Sequence, residues 1–127
     1  MDPRGFQQYK QQAINTMTQS ELLDLLYSEA TKRLTIAELS LGRKEYERFE
    51  EAMDRTIAIV NYLDDTLDRQ YEISGQLSRL YDYFTYELGR AKIGRDLEPL
   101  QNVRSMLKEL QGTFKEAQDQ LSAGKQA

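Results

Sequence analysis

A chain of 127 residues with net charge −4 and no Cys, His or Trp is long enough for one domain with a real core. The missing residue types exclude a disulfide framework, thiolate or imidazole metal sites, a thiol nucleophile and the commonest general base. The acidic balance argues against nucleic-acid binding by charge alone.

No apolar run approaches the roughly 20 residues that cross a bilayer, so no membrane insertion is expected. The opening Met1-Asp2-Pro3-Arg4 lacks a basic stretch followed by an apolar one. No secretory signal is therefore read, and a cytoplasmic (cytosolic) location is expected.

Only 2 Pro and 7 Gly interrupt the chain, which points to helices. Residues 1–17 form a polar, Gln-rich arm. Phe6, Tyr9 and Ala13 are spaced as one face of a short helix, with Ile14 and Met17 as further apolar residues. Too short to fold alone, the arm is either frayed or a detachable segment that docks Tyr9 and Ile14 on the body.

Thr18-Gln19-Ser20-Glu21 has the capping-box pattern. It starts a helix expected to reach about Leu41, with Gly42 ending it. Leu23, Leu26, Tyr27, Ala30, Leu34, Ala37 and Leu41 share its main face, while Leu22, Leu25, Ile36 and Leu39 point elsewhere. The helix is thus apolar over more than half its circumference.

A second helix is expected from about Lys44 to Gln70. Phe49, Met53, Thr56, Val60, Leu63 and Leu67 form its core stripe, and Ile59, Tyr62 and Thr66 a stripe beside it. Asp64, Asp65 and Asp68 gather near its C-terminal end, where the helix dipole disfavours acids. As a metal site they would need oxygen ligands from elsewhere.

Gly75 marks a break, and a third helix is expected from Ile73 or Ser74 to Lys92. Ile73, Leu77, Leu80, Tyr81, Phe84 and Leu88 share one face; Tyr83, Tyr86 and Ile93 fall on a flank. The Tyr81 hydroxyl then needs a partner inside the core. Gly94 is expected to end this helix, Asp96 or Glu98 to cap the next, and Pro99 to sit in its first turn.

The last helix carries Leu100, Val103, Leu107, Leu110, Phe114, Ala117 and Leu121 at alternating spacings of three and four. The expected architecture is all-α: an antiparallel up-down-up-down four-helix bundle over 18–121, a short N-terminal helical arm over 1–17, and a flexible tail over 122–127.

No phosphate loop, Glu-x-x-His pair or activated nucleophile is present. A small mutase could use Arg33, Arg55 and Arg79 on a dicarboxylate, yet each reads equally as a surface or snorkelling Arg. No enzyme, catalytic residue, cofactor or metal is expected. What remains is apolar surplus off the core stripes: Leu22, Leu25, Ile36, Leu39, Ile59, Tyr62, Tyr83, Tyr86 and Ile93. Such stripes suit a partner helix or an extended peptide, with an irregular core as the competing reading.

These residues carry a family resemblance. The Tyr9…Ile14 arm precedes a capped helix with Leu22-Leu23-Asp24-Leu25-Leu26-Tyr27 and Ala30. Ala58-Ile59-Val60, Leu63 and Thr66-Leu67-Asp68 follow, then Leu80-Tyr81-Asp82-Tyr83 with Leu88 and Ala91, and finally Leu107, Leu110 and Phe114. Over about residues 5–118 the chain resembles the flagellar export chaperone family FliS. It departs at Thr18-Gln19-Ser20, where the family usually has a Pro, and at Phe114, where a Trp is frequent.

The resemblance implies a four-helix bundle that binds the disordered C-terminal region of flagellin 1:1, blocks premature polymerisation and supports type III flagellar export without ATP. It also implies the export gate as a partner and an arm around Tyr9 that can cover an apolar pocket. From the residues themselves, no nucleic-acid partner is expected, motility regulators are candidate further partners, and an exposed groove could be filled by a second copy when the chain is unbound. A non-chaperone adaptor bundle binding another helix is the alternative. Tyr9, Ile14 and the nine off-core residues are the expected partner-binding set.

Overall fold

The computed structural model describes residues 3–126; the side chains of residues 3, 6, 15, 125 and 126 lie outside that description, and so does the expected role of Phe6 in the arm. Five α-helices follow one another: α1 (Pro3–Asn15), α2 (Gln19–Gly42), α3 (Tyr46–Asp65), α4 (Glu72–Gly94) and α5 (Leu97–Gln126). There is no strand among the described residues. α2 packs on α3 and α5, and α4 packs on the same two, so α2 and α4 face each other across the diagonal.

Cross-links set an antiparallel register. Arg104 bonds Glu38 at 3.0 Å and Gln111 Nε2 bonds Asp24 Oδ1 at 2.9 Å between α5 and α2, while Lys92 meets Asp54 at 2.8 Å between α4 and α3. Donors from Gln101 and Arg104 hold the Glu38 carboxyl below its ordinary value. The bond to Asp54 raises the Lys92 ammonium. The architecture is the all-α bundle expected, with a short N-terminal helix ahead of it.

The interior is hydrocarbon and aromatic. Tyr27, Leu34, Phe49, Met53, Val60, Phe84, Leu88, Leu100, Val103 and Leu107 are fully buried. Glu87 is the one charged side chain buried among the described residues, and its carboxylate accepts from Arg90 at 3.0 Å. The partner required by the Tyr81 hydroxyl is the Tyr27 hydroxyl, 2.6 Å away across the α2–α4 diagonal. Burial, first, and this bond push the Tyr27 phenol far above its ordinary value; burial also raises Tyr81.

Several boundaries differ from expectation. Thr18 caps α2 as foreseen, accepting from the Glu21 amide at 3.2 Å. Neither Gly42 nor Gly94 takes the left-handed conformation that ends a helix; Lys44 (φ 59°) and Arg95 (φ 50°) do. That conformation costs a non-glycine residue about 1–2 kcal/mol. At Arg95 the guanidinium lies 3.6 Å from the Tyr46 ring centroid, a cation–π contact that offsets part of it.

α3 stops at Asp65 rather than Gln70. There Asp64 accepts Arg69 on its carbonyl (3.1 Å) and carboxylate (3.3 Å), Asp68 Oδ1 accepts the Gln70 amide, and the Ser74 hydroxyl donates to the Asp68 carbonyl. Two of the three aspartates thus shape the connection. Gly75 lies inside α4 and breaks nothing. Ile73, expected in the core, is 56 % exposed because the face turns from Ser74 to Tyr81 and Phe84 instead. Ala117 and Leu121 are also exposed, and α5 continues helically to Gln126.

The tyrosine pair makes two predictions. Tyr27→Phe or Tyr81→Phe alone should lower unfolding free energy by about 1–3 kcal/mol in denaturant titrations, whereas the double variant should lie closer to wild type. Unpaired pKa values near 10 in the unfolded chain and higher ones in the fold mean that the folded state keeps protons the unfolded state releases. Stability should therefore hold below about pH 10 and fall above it, by up to about 1.4 kcal/mol per pH unit per tyrosine. A flat profile there would contradict the assignment.

Candidate partner-binding site

The site is made by unequal helix lengths. The N-terminus of α2, the C-terminus of α3, the N-terminus of α4 and the second half of α5 meet at one end of the bundle. α3 stops at Asp65, so apolar side chains of the neighbouring helices have no fourth helix over them. A pocket of about 600 Å³ opens there. Its walls are Leu22, Leu23 and Leu26 from α2, Tyr62 from α3, Leu67 from the connection, Leu77 from α4 and Phe114 from α5. Buried Leu63 and Tyr81 form its inner part, and Thr18, Gln19, Ser20, Thr66, Asp68 and Gln118 its polar edge.

The Tyr27–Tyr81 hydroxyl bond lies directly behind this pocket. Tyr27 also packs on Phe114, with ring centroids 5.8 Å apart. A narrower groove of about 290 Å³ adjoins it between α2 and α5, reaching Asp24, Lys115, Ala117 and Leu121. The two share Ser20, Leu23, Phe114 and Gln118. Apolar surface therefore continues around the end of the bundle. At the opposite end, an open hollow of about 770 Å³ on α4 is lined by Tyr86, Gly89, Arg90, Ile93 and Arg95.

The expected partner-binding residues divide among these places. Leu22 and Tyr62 (48 % exposed) come together in the end pocket. Tyr86 and Ile93 come together in the α4 hollow, with exposed Tyr83 beside Phe84, ring centroids 6.2 Å apart. Leu25 is half-buried and Leu39 exposed, and neither lines these pockets. Ile36 and Ile59 pack against the core from its edge. Tyr9 (69 % exposed) and Ile14 sit on α1, none of whose described residues joins the core or lines the end pocket. The docked arm is not the arrangement seen here.

Leu23, Leu26, Leu67, Leu77 and Phe114, expected in the core, pack half-buried against it and also wall the pocket. The signal for them was the length of the α5 stripe, which runs beyond what a bundle with a short α3 can cover. Of the cations considered for a dicarboxylate, Arg33 pairs with Glu29 and Arg55 with Glu51, and none of Arg33, Arg55 and Arg79 lines the end pocket.

The class defined by this fold and site is an all-helical bundle with an apolar pocket open at one end. Comparison with known proteins makes the class specific. The family described as flagellar protein FliS matches residues 3–121, and the chain belongs to that family. It is 29 % identical over 109 residues, 86 % of this chain and 82 % of the relative, to the flagellar secretion chaperone FliS of Bacillus subtilis strain 168. It is 28 % identical over 119 residues, 88 % of each chain, to that of Salmonella typhimurium. It is 27 % identical to the flagellar secretion chaperone FliSB of Pseudomonas aeruginosa, over 84 % of this chain and 90 % of the relative.

The division between core and pocket is testable. Leu88→Ala, at a fully buried site, should cost about 2–5 kcal/mol. Tyr62→Ala, at the pocket wall, should change stability by no more than about 0.5–1 kcal/mol. Equal losses in thermal or denaturant unfolding would show the faces to be misassigned.

Proposed function

We propose that this chain is a cytoplasmic export chaperone that binds the disordered C-terminal region of flagellin one to one, prevents premature polymerisation and supports type III flagellar export. The single observation that carries the reading is the apolar end pocket, open to solvent and continuous with the α2–α5 groove. Its setting is a member of a family whose relatives are named as flagellar secretion chaperones.

The physics suits such a client. Filament subunits need apolar terminal segments to assemble and must be kept from assembling early. A disordered segment loses conformational entropy when it orders, so it can cover a large surface and still be released without ATP. No described helix is long and apolar enough to cross a membrane. In this reading residues 1–17 are a detachable arm, residues 18–121 the binding body and residues 122–127 a tail. Tyr9, Ile14, Leu22, Leu25, Ile36, Leu39, Ile59, Tyr62, Tyr83, Tyr86 and Ile93 contribute to contacts with the client, the export gate, motility regulators or, unbound, a second copy.

The adaptor reading, binding another helix altogether, draws on the α4 hollow far from the end pocket. Calorimetric titration with the C-terminal region of the cognate flagellin separates the two. Binding in the micromolar range or tighter is expected, with Tyr62→Ala weakening it by about tenfold. Absence of binding would end the chaperone reading, and binding untouched by Tyr62→Ala would move the client off the pocket.

A further inference from the structure

We infer that the client segment seated at the end pocket is an aliphatic stretch flanked by basic residues, selected by charge as well as by apolar burial. The inference rests on the chaperone reading above and specifies its client. The pocket wall is hydrocarbon, and that accounts for the aliphatic part. The edge accounts for the rest. Asp68 lines the pocket and Glu21 and Asp24 line the adjoining groove, against one lining cation, Lys115. Asp65, the last residue of α3, stands exposed at the same end.

Like Glu47, Glu50, Asp82 and Glu109 elsewhere on the bundle, these carboxylates stand outside the ion pairs of the described residues. Glu29, Glu38, Glu45, Glu51, Asp54 and Glu87 each meet an Arg or Lys. Among the described residues, no ion pair includes Glu21, Asp24, Asp65 or Asp68, and nearby Arg69 is taken by Asp64. The donors that reach the Asp24 and Asp68 carboxylates are neutral: Gln111 Nε2 at 2.9 Å and the backbone N–H of Gln70 at 3.0 Å. Their negative charge is thus positioned but uncompensated.

An entering segment with acidic flanks is repelled at this edge, and a neutral one leaves the charges facing its hydrocarbon. A segment with Lys or Arg beside its aliphatic residues compensates them. The edge is exposed, so its field decays over about 8 Å at physiological salt and acts chiefly on encounter and choice of partner.

The test uses the full chain and two versions of the cognate flagellin C-terminal region, native and with every Lys and Arg replaced by Gln. Dissociation constants are measured at about 50 mM and about 500 mM NaCl, where screening differs strongly. The native segment should weaken by about tenfold at high salt, and the neutralised one should bind about tenfold more weakly at low salt and respond little to salt. Glu21→Gln with Asp68→Asn, which keeps side-chain shape, should erase most of the difference. Glu21→Lys with Asp68→Lys should favour a version carrying Glu at the same positions.

Equal binding of native and neutralised segments at both salt concentrations would overturn the charge selection and leave the chaperone reading standing. Failure of both to bind at either concentration would remove that reading, and this inference with it.

Discussion

The Tyr27–Tyr81 hydroxyl bond is the constraint on which the rest of this bundle depends. Helices α2 and α4 do not neighbour each other in the ring, so only side chains reaching across the centre can join them. Two phenols meeting at 2.6 Å do so with each satisfying the other's polar atom inside an otherwise apolar core. The bond also fixes depth. On one side of it Phe84, Leu88, Leu100 and Leu107 pack without exposure; on the other the helices stop covering one another and the end pocket begins. Core and candidate site are therefore two sides of one aromatic layer, in which Phe114 continues the wall from Tyr27.

A site of this kind needs no dedicated recognition residues. Leucines in ordinary core stripes line an open apolar pocket because α3 is 20 residues long while α5 is 30. The connection that ends α3 is held by Asp64, Asp68 and their bonds to Arg69, Gln70 and Ser74, so the pocket edge is anchored rather than loose. An apolar site with a fixed edge fits a chaperone that must hold an assembly-prone segment and later give it up. Association built from burial and exposed charge leaves nothing covalent to undo.

Much of the fold was legible in the sequence, and much of the site was not. Helical periodicity placed Tyr27, Leu34, Phe49, Val60, Tyr81, Phe84 and Leu107 on core faces, and the Thr18 cap was readable from its spacing to Glu21. Helix ends were harder. Glycine suggested the terminators at Gly42 and Gly94, but Lys44 and Arg95 took the left-handed positions, and for Arg95 the stabilising ring of Tyr46 comes from the start of α3, far away in sequence. Facing arguments find residues off a core stripe, such as Tyr62 and Tyr86. They do not find stripe residues left uncovered, such as Leu23, Leu67 and Phe114, because coverage depends on where neighbouring helices end in space.

The central claim is that the client seats at the end of the bundle behind which the tyrosine pair lies. Methyl-detected NMR of the Leu-labelled chain, titrated with the flagellin C-terminal region, addresses it directly. The account predicts the largest shifts at Leu22, Leu23, Leu26, Leu67 and Leu77, with Leu34 and Leu107 nearly still. Saturable shifts confined to Leu39 or Leu97, with the pocket leucines unmoved, would contradict it.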